Sequence, residues 1–257
     1  MERISDNGRA PIIEKREIEN LINEFSLRKH KWQNYFGVDL TDVEVEHIGD
    51  NLFLKKRYDD FSRIYVMAND ESLLEDYLFK QPCNHTIDIL SRIGIDFWAP
   101  VLEKTNYRQI ATYRRYVYNN YRKGTDKNIT FATIEDLECI YNELHYFFSP
   151  LTGHLPNTEE LAKIIEEKQI VINRNPEGNV TGALCCQIKG RKAELPFWFD
   201  RGGNGLSLLF KVFHLCHCAD VRQIVFWVND ENVDTIAIHK MFGAKTDGLV
   251  DYIFNKV

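Results

Sequence analysis

The chain has 257 residues, 44% of them hydrophobic and 27% charged, with only 7 prolines and 14 glycines. That composition excludes a mainly disordered, collagen-like or low-complexity protein, and the length suits two domains of about 130 residues. With 32 Lys and Arg against 38 acids the net charge is −6, which argues against a nucleic-acid partner, because phosphate backbones are bound by clustered positive charge. No uncharged apolar run approaches the ~20 residues of a membrane helix. The opening MERISDNGRAPIIEKRE holds no hydrophobic signal core. The expectation is no membrane contact and a cytoplasmic location. The 6 cysteines lack the spacing of a disulfide framework and suit a reducing compartment as thiols.

Residues 14–36 open with a helical pattern, Ile18, Leu21, Ile22 and Phe25 recurring at spacings of three and four. Two short strands are expected at 51–56 and 62–68, with the turn Tyr58-Asp59-Asp60 between them. Asp70-Glu71-Ser72 reads as a helix start, 85–90 as a strand, 96–103 as a short helix and 107–118 as an aromatic strand. Residues 121–128 (YRKGTDKN) are the best linker. A second pattern follows: strand 129–132, a capped start at Thr133 and Asp136 for helix 134–148, and helix 159–168 after Pro156-Asn157-Thr158. Strands at 169–173, 180–188 and 193–199 come next. Then come a Gly-rich loop at 201–205, an apolar helix from Leu206, strand 223–228, helix 233–242 and strand 250–255. This order implies an α/β protein with a mixed sheet.

Asp200-Arg201-Gly202-Gly203-Asn204-Gly205 sits between a predicted strand and a predicted helix. Glycines there let a backbone approach a ligand closely, and a helix N-terminus offers free N–H groups and a partial positive charge. The loop fits neither the Gly-Lys-Ser/Thr phosphate loop nor the three-glycine dinucleotide fingerprint. A plain chain-reversing turn is the competing reading. Further on, the chain reads VNDENVDTIAIHKMFGA from Val228 to Ala244.

Together the two segments resemble the GNAT superfamily of N-acetyltransferases. The loop pattern Gln/Arg-x-x-Gly-x-Gly/Ala falls on Asp200 to Gly205, with Gly203 and Gly205 in the glycine places. The later pattern Asn-x-x-Ala-x-x-x-Tyr-x-x-x-Gly-Phe falls on Asn232, Thr235, His239, Gly243 and Ala244. Among the departures, Asp200 stands for Gln or Arg, His239 for Tyr and Ala244 for Phe. The resemblance covers residues 129–257, and the division expected is 1–128 and 129–257, two domains of similar size. The first repeats the strand–helix order of the second without its loop, so it reads either as a degenerate GNAT-like copy or as an accessory α+β domain.

The resemblance implies a GNAT-like acyl-CoA acyltransferase fold and transfer of an acetyl group from acetyl-CoA to an amine by direct attack in a ternary complex. It implies that Gly202, Gly203, Asn204 and Gly205 cradle the pyrophosphate, with Arg201 adding charge. Phe197, Trp198 and Phe199 would run beside the pantetheine, and Asn232 would bond it or cap its helix. His239 inherits the place of the acid that protonates the departing thiolate, as an imidazolium. Glu194, before the loop, is the candidate general base, with an exposed strand end as the plain alternative. His145 and Tyr146 are candidates for lining an acceptor pocket. A third reading is transfer of a longer acyl or aminoacyl group, with Phe197, Trp198 and Phe199 and Tyr146, Phe147 and Phe148 lining its pocket. His214, Cys216, His217 and Cys218 invite a metal reading, but no paired C-x-x-C occurs and no metal is expected. The departures at Asp200 and His239 keep open a catalytically inactive GNAT-fold CoA-binding or interaction protein.

Overall fold

The computed structural model describes residues 15–34, 40, 42–125 and 129–257. The opening segment, the ends of the helical pattern at 14 and 35–36, and the linker's last residues 126–128 lie outside the described residues. The chain divides into two compact units. Unit 1 comprises Met1–Ala111 and Asp251–Val257, and unit 2 comprises Thr112–Val250.

Unit 1 begins with α1 (Lys15–Ser26), which buries Ile18, Ile22 and Phe25 on one face. It is shorter than the pattern predicted. Leu27 is 90% exposed and His30 Nε2 bonds the Phe25 carbonyl at 2.8 Å, closing the helix before β1 (Trp32–Gln33). Then come β2 (Val43–Ile48), β3 (Asn51–Arg57), β4 (Ser62–Ala68), α2 (Glu71–Lys80), β5 (His85–Ser91), α3 (Ala99–Lys104) and β6 (Tyr107–Tyr118). Strand β2, whose VEVEHI alternates acids with apolar residues, was not foreseen. The sheet order is β5-β4-β3-β2 with β1 beside β4. Strands β4 and β5 pair in parallel, and β2, β3 and β4 are antiparallel. Trp32, Phe53, Val66, Leu74, Trp98 and Phe254 share one core. Fully buried Arg63 pairs with fully buried Asp88. Burial first, and the neighbouring Asp88 second, push the Asp251 carboxyl well above its ordinary range.

Unit 2 contains β7 (Thr130–Phe131), a 3-10 turn (Ile134–Asp136), α4 (Leu137–Phe147), α5 (Thr158–Glu166), β8 (Ile170–Arg174), β9 (Val180–Cys185), β10 (Gln187–Lys189), β11 (Lys192–Leu195) and β12 (Trp198–Asp200). It continues with α6 (Gly205–Cys218), β13 (Gln223–Asn229), α7 (Val233–Met241) and β14 (Lys245–Lys256), the last ending in unit 1. The cap expected at Thr133 and Asp136 forms as a reciprocal box, and a second box, not foreseen, joins Asn157 with Glu160.

The units meet at 111/112 and 250/251 rather than at 128/129. Residues 113–118 of β6 pair with β13 in unit 2. The chain end bonds within unit 1, where Lys256 Nζ donates to the Leu78 and Phe79 carbonyls and Val257 N donates to Asn106 O.

Candidate active site

The strand predicted at 193–199 is two strands. Lys192 to Leu195 pair in parallel with Gln223 to Phe226 of β13. Trp198 to Asp200 pair antiparallel with Leu184 to Gly182 of β9. Pro196 stands between them, and without an N–H it cannot continue a ladder. Past it, the Phe197 carbonyl accepts from Cys185 N at 3.0 Å. The strand therefore leaves β13 at Leu195 and joins β9, so β12 and β13 diverge.

Alternation along β12 sorts its side chains. Phe197 and Phe199 are buried in the core beneath α4 and α5, Phe199 stacking on Phe147. Their side chains lie in that core, unlike the place beside the pantetheine expected for them. Trp198 and Asp200 face α6 instead. Trp198 packs in the core that includes Leu184, Leu208 and Phe226. Its Nε1 is buried without a hydrogen-bond partner.

His239, on α7, is 3% exposed. Its ring centroid lies 4.0 Å from that of Phe226 and 5.4 Å from that of Trp198. It thus touches a side chain from each of the two diverging strands. Its Nδ1 is 2.7 Å from the Tyr118 hydroxyl. Burial lowers its pKa to about 4. The imidazolium expected near pH 7 is not present: the ring is neutral there.

The loop is also arranged differently from the expectation. The Asp200 carboxylate accepts from Gly205 N at 2.8 Å and from Gly202 N at 3.2 Å. Two of the amides assigned to the pyrophosphate are therefore taken by a carboxylate of the chain itself. Asn204, at the cap position, makes no side-chain cap bond, because Asp200 satisfies the helix start from the preceding strand. Glycines wall this carboxylate. A Cβ on Gly182 would stand 2.9 Å from Asp200 Oδ1, and one on Gly205 would stand 2.9 Å from Trp198 Cζ2. Gly203 has φ +69, the left-handed region, with open space around it.

Arg201 points the other way. Its Nε donates to Glu143 at 2.5 Å and its guanidinium lies 4.3 Å from the Tyr146 ring centroid. It is held against α4 rather than over the loop amides. Tyr146 is 71% exposed, and His145 Nδ1 bonds the Tyr141 carbonyl within the same helix.

Glu194 is exposed on β11, between buried Ala193 and Leu195. Asn232 caps α7, its side chain accepting from Thr235 N at 3.2 Å. The His/Cys cluster on α6 diverges: His214 Nε2 lies 3.4 Å from Cys218 Sγ, Cys216 Sγ lies 3.7 Å from Cys186 Sγ, and His217 is exposed. Lys211 was not singled out in sequence. It is 7% exposed, and its Nζ donates to Asn173 Oδ1, which also accepts from Ser207 Oγ. Its neighbours in sequence are apolar core residues, so only the fold reveals this network.

Comparison with solved structures decides the architecture. A GCN5-related N-acetyltransferase from Sphaerobacter thermophilus matches with a TM-score of 0.58 at 13% identity, over 93% of this chain and 84% of its own. The chain has the fold of the GNAT acetyltransferases. A GCN5-related N-acetyltransferase from Kribbella flavida matches with a TM-score of 0.52 at 10% identity, covering 94% of both chains. A GNAT-family acetyltransferase from Colwellia psychrerythraea gives 0.53 at 12% identity, over 82% and 83%. The α/β GNAT-like fold expected from sequence is therefore the observed one. No family sequence model matches the chain, and no curated protein matches it. In this GNAT fold the diverging pair is β12 and β13, and the turn that follows is Arg201 to Asn204.

Proposed function

We propose that unit 2 is an acyl-CoA-dependent N-acyltransferase that passes an acyl group, acetyl foremost, to an amine by direct attack in a ternary complex. The observation that carries this reading is the strand that leaves its parallel neighbour at Pro196 and runs into a glycine-walled turn at the N-terminus of α6. The amides of the turn can hold an anion, and in this chain Gly202 N and Gly205 N hold the Asp200 carboxylate. One feature fits the pantetheine arm of the donor. Trp198 Nε1, buried without a partner, supplies a donor for a carbonyl of a pantetheine arm.

The chemistry then follows from the residues. An alkyl amine, with a pKa of about 10.4, is mostly protonated at neutral pH and must lose a proton before it attacks. Exposed Glu194 is the base that collects it through water. The C–N bond forms, the C–S bond breaks, and the sulfur leaves as a thiolate that is protonated to the thiol. His239 contributes as a neutral hydrogen-bonding ring at the thioester end rather than as an imidazolium. Gly203 and Asn204 hold the outer phosphate. Asn232 adds a contact to the pantetheine beside its cap. Free thiols at all 6 cysteines fit a reducing compartment such as the cytoplasm. No described helix is long and apolar enough to cross a membrane.

Calorimetric titration with acetyl-CoA tests the donor: saturable binding by millimolar ligand is expected, and its absence removes the reading. Gly203→Glu places a side chain and a negative charge in the open loop, and should abolish binding while the fold persists.

A second reading, a GNAT-fold protein that binds CoA or a partner without turnover, is favoured by Asp200 on the loop amides and by the neutral His239. Thiol release in the presence of a broad amine panel decides against it. For the first half we infer a degenerate copy of the same fold, because α2, β5, α3 and β6 repeat the helix–strand–helix–strand order of α6, β13, α7 and β14. Failure of residues 51–120 to superpose on 180–257 would remove that inference.

A further inference from the structure

Resting on the transferase reading, we propose that Asp200 is the specificity-determining residue of the donor site. It makes the pantetheine thioester the recognised part of the donor, and it discriminates against the diphosphate. The position of its carboxylate is fixed by the fold. Asp200 pairs with Gly182 on β9, so its side chain faces the α6 side as Trp198 does. Gly182 leaves it room, since a Cβ there would come within 2.9 Å of Oδ1 and the carboxylate would have to shift. The carboxylate then reaches Gly205 N and Gly202 N at the start of a 14-residue helix.

Arg201, its neighbour in sequence, pairs with Glu143, and Lys211 on α6 donates to the neutral side chain of Asn173. Among the described residues no Lys or Arg forms an ion pair with Asp200. A diphosphate on this turn would meet a like charge a few ångströms away and compete for the same two N–H groups. An acyl-pantetheine without the diphosphate meets no such conflict. It keeps the Trp198 N–H and the place where β12 diverges from β13.

The experiment compares S-acetyl-pantetheine with acetyl-CoA on the wild-type chain and on Asp200→Asn, by calorimetric affinity and by thiol release with an amine panel. Wild type should bind the two thioesters within about threefold of each other. Asp200→Asn, which keeps an acceptor oxygen for Gly205 N but removes the charge, should gain about tenfold or more for acetyl-CoA and stay within about twofold for S-acetyl-pantetheine. Wild type that already prefers acetyl-CoA by about tenfold or more overturns the proposal and leaves the transferase reading standing. So does an Asp200→Asn variant whose acetyl-CoA affinity is unchanged. If neither thioester binds either chain, the transferase reading falls and this proposal with it. The wild-type comparison decides by itself if Asp200→Asn does not fold.

Discussion

A parallel strand pair followed by a turn into a helix occurs in each unit, and an aspartate closes each helix start, yet by different routes. In unit 1, β4 stays on β3 from Ser62 to Met67 while its first residues pair in parallel with β5. Asp70 then caps α2 from the adjacent position, accepting from Leu73 N at 3.1 Å. Asn51 Oδ1 takes up the Asn69 and Asp70 amides, and the turn needs no glycine. In unit 2 the strand breaks at Pro196, changes neighbours, and is followed by a turn rich in glycine. The cap comes from Asp200, five residues before the amide it serves. The first connection is local and complete. The second sets glycines against one carboxylate. A helix start satisfied by a neighbouring side chain is a structural cap. The one satisfied from the preceding strand is the site proposed above.

The difference can be broken from either side. The largest effect is expected in unit 1, where Arg63 on β4 pairs with Asp88 on β5 in full burial. Arg63→Met leaves that carboxylate without its guanidinium and should cost about 3–5 kcal/mol in urea unfolding. An equal stability would mean that the pair does not hold the β4–β5 junction.

In unit 2 the buried titratable group beside the diverging strands is His239, whose pKa burial lowers to about 4. The unfolded ring binds a proton below about 6.5 and the folded ring does not until about 4, so stability should fall as pH drops through that window, by on the order of 2–3 kcal/mol. His239→Gln should remove that part of the pH dependence. A variant with the parent's slope would place the titration elsewhere.

Gly205→Val puts branched carbon against Trp198 and the Asp200 carboxylate. It should cost about 1–3 kcal/mol and abolish acetyl-CoA binding. Asp70→Ala, the matching change in unit 1, should cost only about 1 kcal/mol as a lost N-cap and leave thioester binding unchanged. Loss of thioester binding in Asp70→Ala would erase the distinction between the two connections.

Much of this architecture was legible because it rests on local signals. The box at Thr133, the apolar faces of α1 and α6, and the glycine turn before α6 each declare themselves within a few residues. The GNAT order followed from the turn and the Asn232 to Ala244 segment together. The misses are non-local. Residues 193–199 read as one strand, because only pairing shows that β11 and β12 belong to different neighbours. Phe197 and Phe199 read as ligand-facing until alternation sent them into the α4 and α5 core. Asp200 read as a weak substitute for Gln or Arg, because the two amides it occupies are set by the fold of the turn. The charge of His239 depends on burial by Phe226 and Trp198, which lie 13 and 41 positions away. The break between units at 111/112 lies inside one strand, where no linker composition marks it.

The most direct measurement is a crystal structure of the protein with CoA. The account predicts the pantetheine arm between β12 and β13, with a carbonyl on Trp198 Nε1. It also predicts either the Asp200 carboxylate displaced from Gly205 N by a phosphate oxygen or the diphosphate held outward at Gly203 and Asn204. CoA bound elsewhere, with Trp198 still unpartnered and the gap between the two strands closed by His239, would contradict it.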